Sequence, residues 1–268
     1  MTNDTTTPSR RAVVGAMAAG TMLGSPIGSA QAQTSAKTFV LVHGAWHGGW
    51  CWRRVSDLLE KRGHKVFTPT MTGLGERSHL IDPKINLATH VTDIVNVLKW
   101  ERLSGVVLCG HSYGGMVISG VAEQMASAIA SIVFLDAFVP ENGDAVVNLT
   151  GPAVQEAFKA AQQRGDLGAP PRPAEAFGVN EKDRAWVDAL CVPQPIGTFT
   201  EAMKITGARE RIAKKTYIRA ASYANPGFDK ALARVKADKT WRTYAVPCGH
   251  DVMVDIPERL AEILLEVA

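Results

Sequence analysis

A glycine-rich turn at residues 110–115 constrains the fold of this chain more than any other segment. It reads Gly-His-Ser-Tyr-Gly-Gly, follows an apolar run at residues 105–109 and opens a helical pattern at residues 113–126. A turn this tight between a strand and a helix needs glycine wherever a Cβ would meet neighbouring backbone. The turn holds the Ser112 hydroxyl above the end of the strand, and the free N–H groups of the helix start face the same point. We predict that Ser112 is a nucleophile.

Apolar strands and amphipathic helices alternate along most of the chain. Short apolar runs predict strands at residues 37–42, 65–69, 105–109, 129–135, 216–218 and 241–246. Helical spacing of apolar residues predicts helices at residues 50–62, 86–103, 113–126, 228–235 and 257–267. Strands that are apolar on both faces and alternate with helices form a parallel sheet covered on both sides. The predicted class is therefore α/β, with a doubly wound, mostly parallel six-stranded sheet.

Residues 140–212 break this alternation. They are rich in proline and carry only short helical stretches, at residues 153–163 and 181–190. An insertion after the fourth strand would lie over the carboxyl ends of the strands, where open α/β sheets bind ligands. We predict that residues 140–212 form a helical cap on a core made of residues 33–139 and 213–268.

Residues 1–32 are predicted to be an export signal rather than part of the fold. Arg10 and Arg11 precede a short apolar stretch, and Ala-Gln-Ala at residues 30–32 matches a small-x-small cleavage site. The arginine pair indicates the twin-arginine route. The alternatives are an ordinary N-terminal helix and a membrane anchor. A membrane anchor needs about 20 apolar residues, and this stretch is shorter and contains glycine. We expect an exported protein, periplasmic or secreted, without stable membrane insertion.

The composition argues against several other functions. The formal net charge is only +3, and the basic residues are scattered, so the chain offers no basic stripe to nucleic acid. The cysteines and histidines lack the spacing of a metal site, and we expect neither a metal nor another cofactor. The four cysteines, which an exported protein can oxidise, permit three pairings that the sequence does not distinguish. The sequence also leaves the oligomeric state open.

A serine nucleophile needs a base, and His250 is the best placed of the seven histidines. It follows the last predicted strand, at the same edge of the sheet as Ser112, in the chain order typical of enzymes with this turn.

A developing oxyanion needs two backbone donors. We predict that these are the amides of Tyr113, directly after the serine, and of Ala45, in the loop after the first strand.

The carboxylate that orients His250 is predicted to be Asp136. It ends the apolar strand at residues 129–135, and a buried aspartate there needs a partner such as the histidine Nδ1–H. A turn cap is the alternative role for Asp136, and Asp229 is the second candidate acid, although it lies near a helix start.

Four residues beside the predicted catalytic loops are candidates for an apolar substrate pocket, although each fits the core as well: Trp46, Phe138, Tyr223 and Met253.

Four segments together resemble a known family. They are the Phe-Val-Leu-Val-His-Gly-Ala-Trp-His-Gly-Gly-Trp stretch at residues 39–50, the Gly-His-Ser-Tyr-Gly-Gly-Met turn at residues 110–116, the Gly-His pair at residues 249–250 and residues 72–79. The first three resemble the plant methylesterase and hydroxynitrile lyase branch of the α/β-hydrolase superfamily, and the last resembles its bacterial esterase relatives. The resemblance covers residues 37–268 and implies the α/β-hydrolase fold with a serine, histidine and acid at its site.

Two departures from that branch narrow the expected chemistry. Its hydroxynitrile lyases carry a lysine directly after the catalytic histidine and a threonine in the first loop, where this chain has Asp251 and Gly44. The usual acid of the branch follows the fifth strand, but residues 219–225 contain no carboxylate. The resemblance therefore implies ester hydrolysis rather than cyanohydrin cleavage.

We expect a cofactor-free serine hydrolase that cleaves carboxylic esters of small to medium apolar substrates through an acyl-enzyme on Ser112. A lactonase, an amidase or an acyltransferase would use the same residues and stays an alternative. A second alternative is a non-catalytic ligand receptor on the same scaffold, which the intact serine and histidine argue against.

Overall fold

A fully parallel six-stranded sheet organises the part of the chain that the computed structural model describes, residues 35–268. The predicted export signal at residues 1–32 lies outside the described residues. The strands are β1 Thr38–Val42, β2 Lys65–Phe67, β3 Val106–His111, β4 Ile129–Leu135, β5 Gly168–Ala169, β6 Gln194–Pro195, β7 Lys214–Ala220 and β8 Trp241–Val246. The order of strands in the large sheet is β2-β1-β3-β4-β7-β8, and β5 pairs with β6 in a separate antiparallel ribbon.

Helices cover both sides of this sheet, so the predicted doubly wound α/β class is confirmed. Helix α1 packs against α10, and α2 packs against α3. No helix in the described part of the chain is long and apolar enough to cross a bilayer. The helices are α1 Arg53–Glu60, α2 Leu87–Trp100, α3 Gly114–Met125, α4 Val146–Leu149, α5 Pro152–Arg164, α6 Glu181–Leu190, α7 Gly197–Thr200, α8 Pro226–Ala237, α9 Val252–Asp255 and α10 Pro257–Glu266.

Local chemistry explains where the helices beside the site begin. The side chain of Asn86 accepts a hydrogen bond from the Thr89 backbone amide, and the Thr89 hydroxyl lies within hydrogen-bond distance of the Asn86 amide, which caps α2. Asn225 caps α8 in a similar way, and Pro226 occupies the first turn, where its missing N–H has no partner to lose. Both caps are local signals, so the sequence places these two helix starts to within a residue or two.

Strand β7 is longer than the sequence predicted, because charged residues within it have internal partners. The prediction covered residues 216–218, but the strand runs from Lys214 to Ala220. The buried Lys215 ammonium donates to the carbonyls of Glu210 and Ile212, both at 3.3 Å. Arg219 near the other end is also buried and paired. Both charged residues lie outside the short apolar run from which the strand was predicted.

The segment predicted as a cap (residues 140–212, the cap segment) holds α4–α7 and the ribbon β5–β6, between β4 and β7. Hydrogen bonds join it to loops at the carboxyl end of the sheet. The Trp46 amide donates to Gln194 Oε1 at 2.9 Å, and the His250 amide donates to the Phe177 carbonyl at 2.8 Å. The loops after β1 and β8 are therefore held by the cap segment as well as by the sheet.

Candidate active site

Ser112 lies at the tip of the turn between β3 and α3, in a strained backbone conformation. Its φ of 54° is in the left-handed region that non-glycine residues rarely adopt. The flanking glycines permit the turn. A Cβ at position 110 would lie 2.5 Å from the Gly114 carbonyl oxygen, and one at position 114 would lie 2.9 Å from the Val42 carbonyl oxygen. The sequence pattern therefore has a steric cause, and Ser112 is partly exposed at the turn.

The structure brings His250 and Asp136 into direct contact. The Nδ1 atom of His250 lies 2.6 Å from Asp136 Oδ2, with the two side chains 5% and 0% exposed. A histidine that donates from Nδ1 keeps Nε2 as its acceptor. His250 and Ser112 line the same cavity, although no hydrogen bond joins their side chains within the described residues. Such contacts are often loose in a ligand-free enzyme and tighten when the substrate binds.

Asp136 is also held by the end of β7. Its Oδ1 atom accepts from Arg219 Nη1 at 2.7 Å and from the Ala220 amide at 3.1 Å. The same guanidinium donates to Asp229 and to the Tyr223 carbonyl. A buried carboxylate is tolerated only with partners of this kind. Arg219 was missed as a site residue by the sequence reasoning, and the signal was an arginine near the end of an otherwise apolar strand.

The amides of Ala45 and Tyr113 are both free to bind a ligand. Neither N–H donates a hydrogen bond to another residue in the part of the chain that the structure describes, and both residues line the cavity with Ser112. The neighbouring Trp46 amide is already used by Gln194, so it is not available as a donor. The loop after β1 therefore presents one unoccupied donor beside the serine, and the start of α3 presents the other.

The cavity beside Ser112 is small and mostly aromatic. It has a volume of about 50 Å³ and adjoins an outer cavity of about 430 Å³. Of the predicted pocket residues, Trp46, Phe138 and Tyr223 line the inner cavity, whereas Met253 is fully buried in α9 and does not. Sequence reasoning missed three aromatic residues of the lining, two of them from the cap segment: Phe177, Phe199 and Phe228.

Aromatic rings surround the His250 imidazole. The Tyr223 ring stacks on it at a centroid distance of 4.6 Å, and the rings of Phe228 and Phe177 lie at 5.5 and 5.6 Å. These rings exclude water from the histidine and its carboxylate. Electrostatic interactions in such a low-dielectric site are stronger than they would be in water.

One group of side chains in the described chain has ligand atoms close enough for a metal ion: His111, His250 and Asp251, within 4.8 Å of one another. Each of these three residues makes a hydrogen bond within the protein, although His111 Nδ1 and Asp251 Oδ1 have no hydrogen-bond partner in the described chain. His111 Nε2 donates to the His250 carbonyl at 3.0 Å, and Asp251 Oδ2 lies 3.1 Å from His47 Nε2. The four cysteines are free thiols, three of them buried.

The parallel sheet, the strained serine turn and the histidine–carboxylate contact define an α/β-hydrolase scaffold. The profile of the alpha/beta hydrolase family matches residues 39–263, and the chain belongs to this family. The predicted resemblance is thus confirmed at the level of the superfamily and of its methylesterase branch.

The chain is similar to several individual members of this family. The carbendazim hydrolyzing esterase of Nocardioides sp. (strain SG-4G) is 44% identical over 236 residues, which are 84% of this chain and 97% of the relative. Salicylic acid-binding protein 2 of Nicotiana tabacum is 29% identical over 87% of this chain and 97% of its own length. Among solved structures, an extracellular α/β-hydrolase from a Paenibacillus species has a TM-score of 0.75 at 23% identity, covering 87% of this chain and 99% of its own. That structural likeness shows the shared fold.

Proposed function

We propose that this protein is a serine esterase that hydrolyses carboxylic esters through an acyl-enzyme on Ser112. Several relatives are named esterases or methylesterases, among them the protein that is 44% identical over most of both chains. The chain is a carboxylic ester hydrolase on this ground. The observation that supports the serine mechanism is the 2.6 Å contact between His250 Nδ1 and Asp136 Oδ2, beside the cavity that Ser112 lines.

In this mechanism, Nε2 of His250 takes the Ser112 proton as Oγ attacks the ester carbonyl. The amides of Ala45 and Tyr113 stabilise the oxyanion that forms. The imidazolium then gives its proton to the leaving alcohol, and a water molecule activated by the same nitrogen hydrolyses the acyl-enzyme. Asp136 fixes the ring orientation and stabilises the imidazolium.

Crowding at Gly44 supports ester cleavage over cyanohydrin cleavage. A Cβ at this position would lie 2.8 Å from His111 Nδ1 and 3.1 Å from the Ser112 Cβ. Contacts below about 3.0 Å force a neighbour to move, so the threonine of the hydroxynitrile lyases has no room here. The lysine position of those enzymes holds Asp251, which is committed to His47. Both groups that the lyases use are therefore replaced.

The two adjoining cavities support a small apolar ester as the substrate. The aromatic inner cavity of about 50 Å³ has room for a short acyl or alcohol group next to the serine. The outer cavity of about 430 Å³ would take the rest of the molecule. A pocket of this kind binds by burying apolar surface, with a few polar groups that fix the orientation.

Replacing Ser112 tests the proposal directly. We expect wild-type enzyme to hydrolyse p-nitrophenyl acetate and butyrate, and Ser112→Ala to lower kcat by a factor on the order of 10⁴ or more, because the nucleophile is lost. Ser104→Ala is the matched control, since that serine is exposed in a loop before β3. Absence of wild-type turnover over a broad ester panel, or retained activity in Ser112→Ala, would refute the proposal.

We also propose that the protein is exported through the twin-arginine route. The support is the sequence pattern alone: Arg10 and Arg11 before a short apolar stretch, then Ala-Gln-Ala at residues 30–32. Changing both arginines to lysine should keep the full chain in the cytoplasm, measured by cell fractionation and by the mass of the N-terminus. Processing and export that continue in this variant would contradict the twin-arginine proposal.

A further inference from the structure

A second buried histidine–carboxylate pair lies behind the proposed catalytic residues. His47 Nε2 lies 3.1 Å from Asp251 Oδ2, and His47 Nδ1 lies 2.7 Å from the Ala45 carbonyl oxygen. The two side chains are 2% and 0% exposed. Neither residue takes part in the mechanism above, and a buried pair of this kind needs an explanation because removing charges from water is costly.

Proton counting fixes the charge state of this pair. The Ala45 carbonyl only accepts, so Nδ1 of His47 must donate to it. A second proton must then lie between Nε2 and the Asp251 carboxyl oxygen. Imidazole ordinarily binds a proton more tightly than a carboxylate, by about 2.6 pKa units, so the proton belongs on His47. The pair is an imidazolium and a carboxylate.

The surroundings agree with this assignment. Burial alone would lower the pKa of His47, but the facing Asp251 carboxylate raises it well above its ordinary value. Although burial opposes its charged form, the pKa of Asp251 lies below its ordinary value because of the charge on His47. The other groups that face the His47 ring are the stacked Trp50 ring at 5.2 Å, Cys191 Sγ at 4.0 Å, the His111 ring at 6.2 Å and the Phe177 ring at 6.4 Å.

The pair connects two loops that the sheet does not connect. Ala45 follows β1 and Asp251 follows β8, and three strands separate β1 from β8 in the sheet order. Strand pairing therefore leaves their relative position to side-chain contacts. At one end of the pair, His47 contacts the Ala45 carbonyl, in the same residue as the proposed donor amide. At the other end, Asp251 is the residue directly after His250.

We propose that the charged His47–Asp251 pair is a positioning clamp that sets the oxyanion donor of Ala45 against the His250 base. A second contact reinforces it, because His111 Nε2 donates to the His250 carbonyl at 3.0 Å. His47 and Asp251 are positioning residues, since they act through the groups beside them. Errors near 1 Å in such positions cost up to about 10²-fold in rate.

Histidine NMR tests the charge state without any activity. In the full chain labelled with ¹⁵N-histidine, we expect both ring nitrogens of His47 to carry protons at pH 8, where an exposed histidine is neutral. The His47 ring-nitrogen signals are identified by their absence from the spectrum of His47→Gln. A bare ring nitrogen on His47 at pH 8 would overturn the proposal.

The positioning role rests on the proposed function, and its test uses the reactivity of Ser112 rather than turnover of one ester. The readout is the rate at which a fluorophosphonate probe labels the enzyme. Asp251→Asn keeps the shape of the side chain and removes its charge, and we expect labelling to slow by roughly 10- to 100-fold. In ester assays the same variant should lower kcat by a similar factor and change KM less than about 2-fold.

The outcomes separate the two proposals. If wild-type enzyme is not labelled at Ser112, the proposed function fails. If wild type and folded Asp251→Asn are labelled equally fast, the clamp is overturned. A fall in the Tm of Asp251→Asn does not rescue the clamp, because losing a purely stabilising pair would also lower Tm without slowing the labelling. His47→Gln, which keeps a donor on a side chain of similar reach, is the second variant. We expect it to be labelled as slowly as Asp251→Asn, and labelling at the wild-type rate would contradict the clamp.

Discussion

Two buried histidine–carboxylate pairs lie side by side in this protein, and they differ in what the second ring nitrogen contacts. In the His250–Asp136 pair, Nε2 has no hydrogen-bond partner among the described residues, and the ring lines the cavity of Ser112. In the His47–Asp251 pair, both nitrogens are bonded, one to the Ala45 carbonyl. The same two residue types therefore make a group that can exchange a proton in one place and a fixed ion pair in the other.

The carboxylates differ in a way that reinforces this contrast. Asp136 has a second cation, since Arg219 Nη1 lies 2.7 Å from its Oδ1. The Asp136 carboxylate therefore has a charged partner besides His250. Asp251 has His47 as its close partner, and its Oδ1 atom is buried without a hydrogen bond within the described chain. Loss of the His47 proton would leave a bare buried charge, which keeps His47 protonated.

Amide substitution of each aspartate should separate the two pairs most clearly. We expect Asp136→Asn to lower kcat by about 10⁴-fold, because an amide favours the wrong histidine tautomer. Asp251→Asn should cost only roughly 10- to 100-fold, through misplacement of the loops. Steady-state kinetics on folded variants measure both effects.

Asp229→Asn is the control for this pair of variants, because Asp229 contacts Arg219 but not His250. It should stay within about 2-fold of wild type. The distinction between the His250–Asp136 pair and the His47–Asp251 clamp would not hold if Asp136→Asn kept full kcat. It would also not hold if Asp136→Asn and Asp251→Asn lost activity equally.

An effect smaller than that of Asp136→Asn is expected from crowding the contact between the loop after β1 and the serine turn. Gly44→Ala adds a Cβ that would lie 2.8 Å from His111 Nδ1 and 3.1 Å from Ser112 Cβ. The loop that carries the Ala45 donor must then shift, and we expect kcat to fall by about 10²-fold, as when one oxyanion donor is lost. Unchanged kcat in Gly44→Ala would show that the loop and the turn are not tightly coupled.

The smallest expected effect is the pH dependence of stability. The raised pKa of His47 means that its contribution is fully present below the unfolded value near 6.5 and is lost as pH rises through the folded pKa. The lowered pKa of Asp251 means that its contribution is present above about 4 and is lost as pH falls toward the folded pKa. The Tm advantage of wild type over Asp251→Asn should therefore be largest between about pH 4 and 6.5.

Thermal melts of the full chain and the variant, from below pH 4 to above pH 6.5, measure the difference. It should amount to several degrees, since each kcal/mol corresponds to roughly 2–4 °C in a protein of this size. A Tm difference that does not vary with pH would mean that the pair is not ionised as described.

Much of the fold was predictable from local patterns. Strands β1, β3 and β4 are buried on both faces, so their apolar runs were recognisable, and the turn at residues 110–115 carries its own steric requirements. The full length of β7 was not predictable, because its buried charges have partners that only the folded chain shows: Lys215 donates to the Ile212 carbonyl, and Arg219 pairs with Asp136, 83 positions away.

The sequence by itself determined the class of the protein and which serine stands at the strained turn, because short-range sterics and the apolar periodicity are written in neighbouring residues. Only the tertiary structure decided the rest of the site. It brought Asp136 to 2.6 Å from His250 across 114 positions of chain, and His47 to 3.1 Å from Asp251 across 204. Which histidine keeps a free nitrogen depends on the partners that folding supplies, and no pattern of neighbouring residues contains that information.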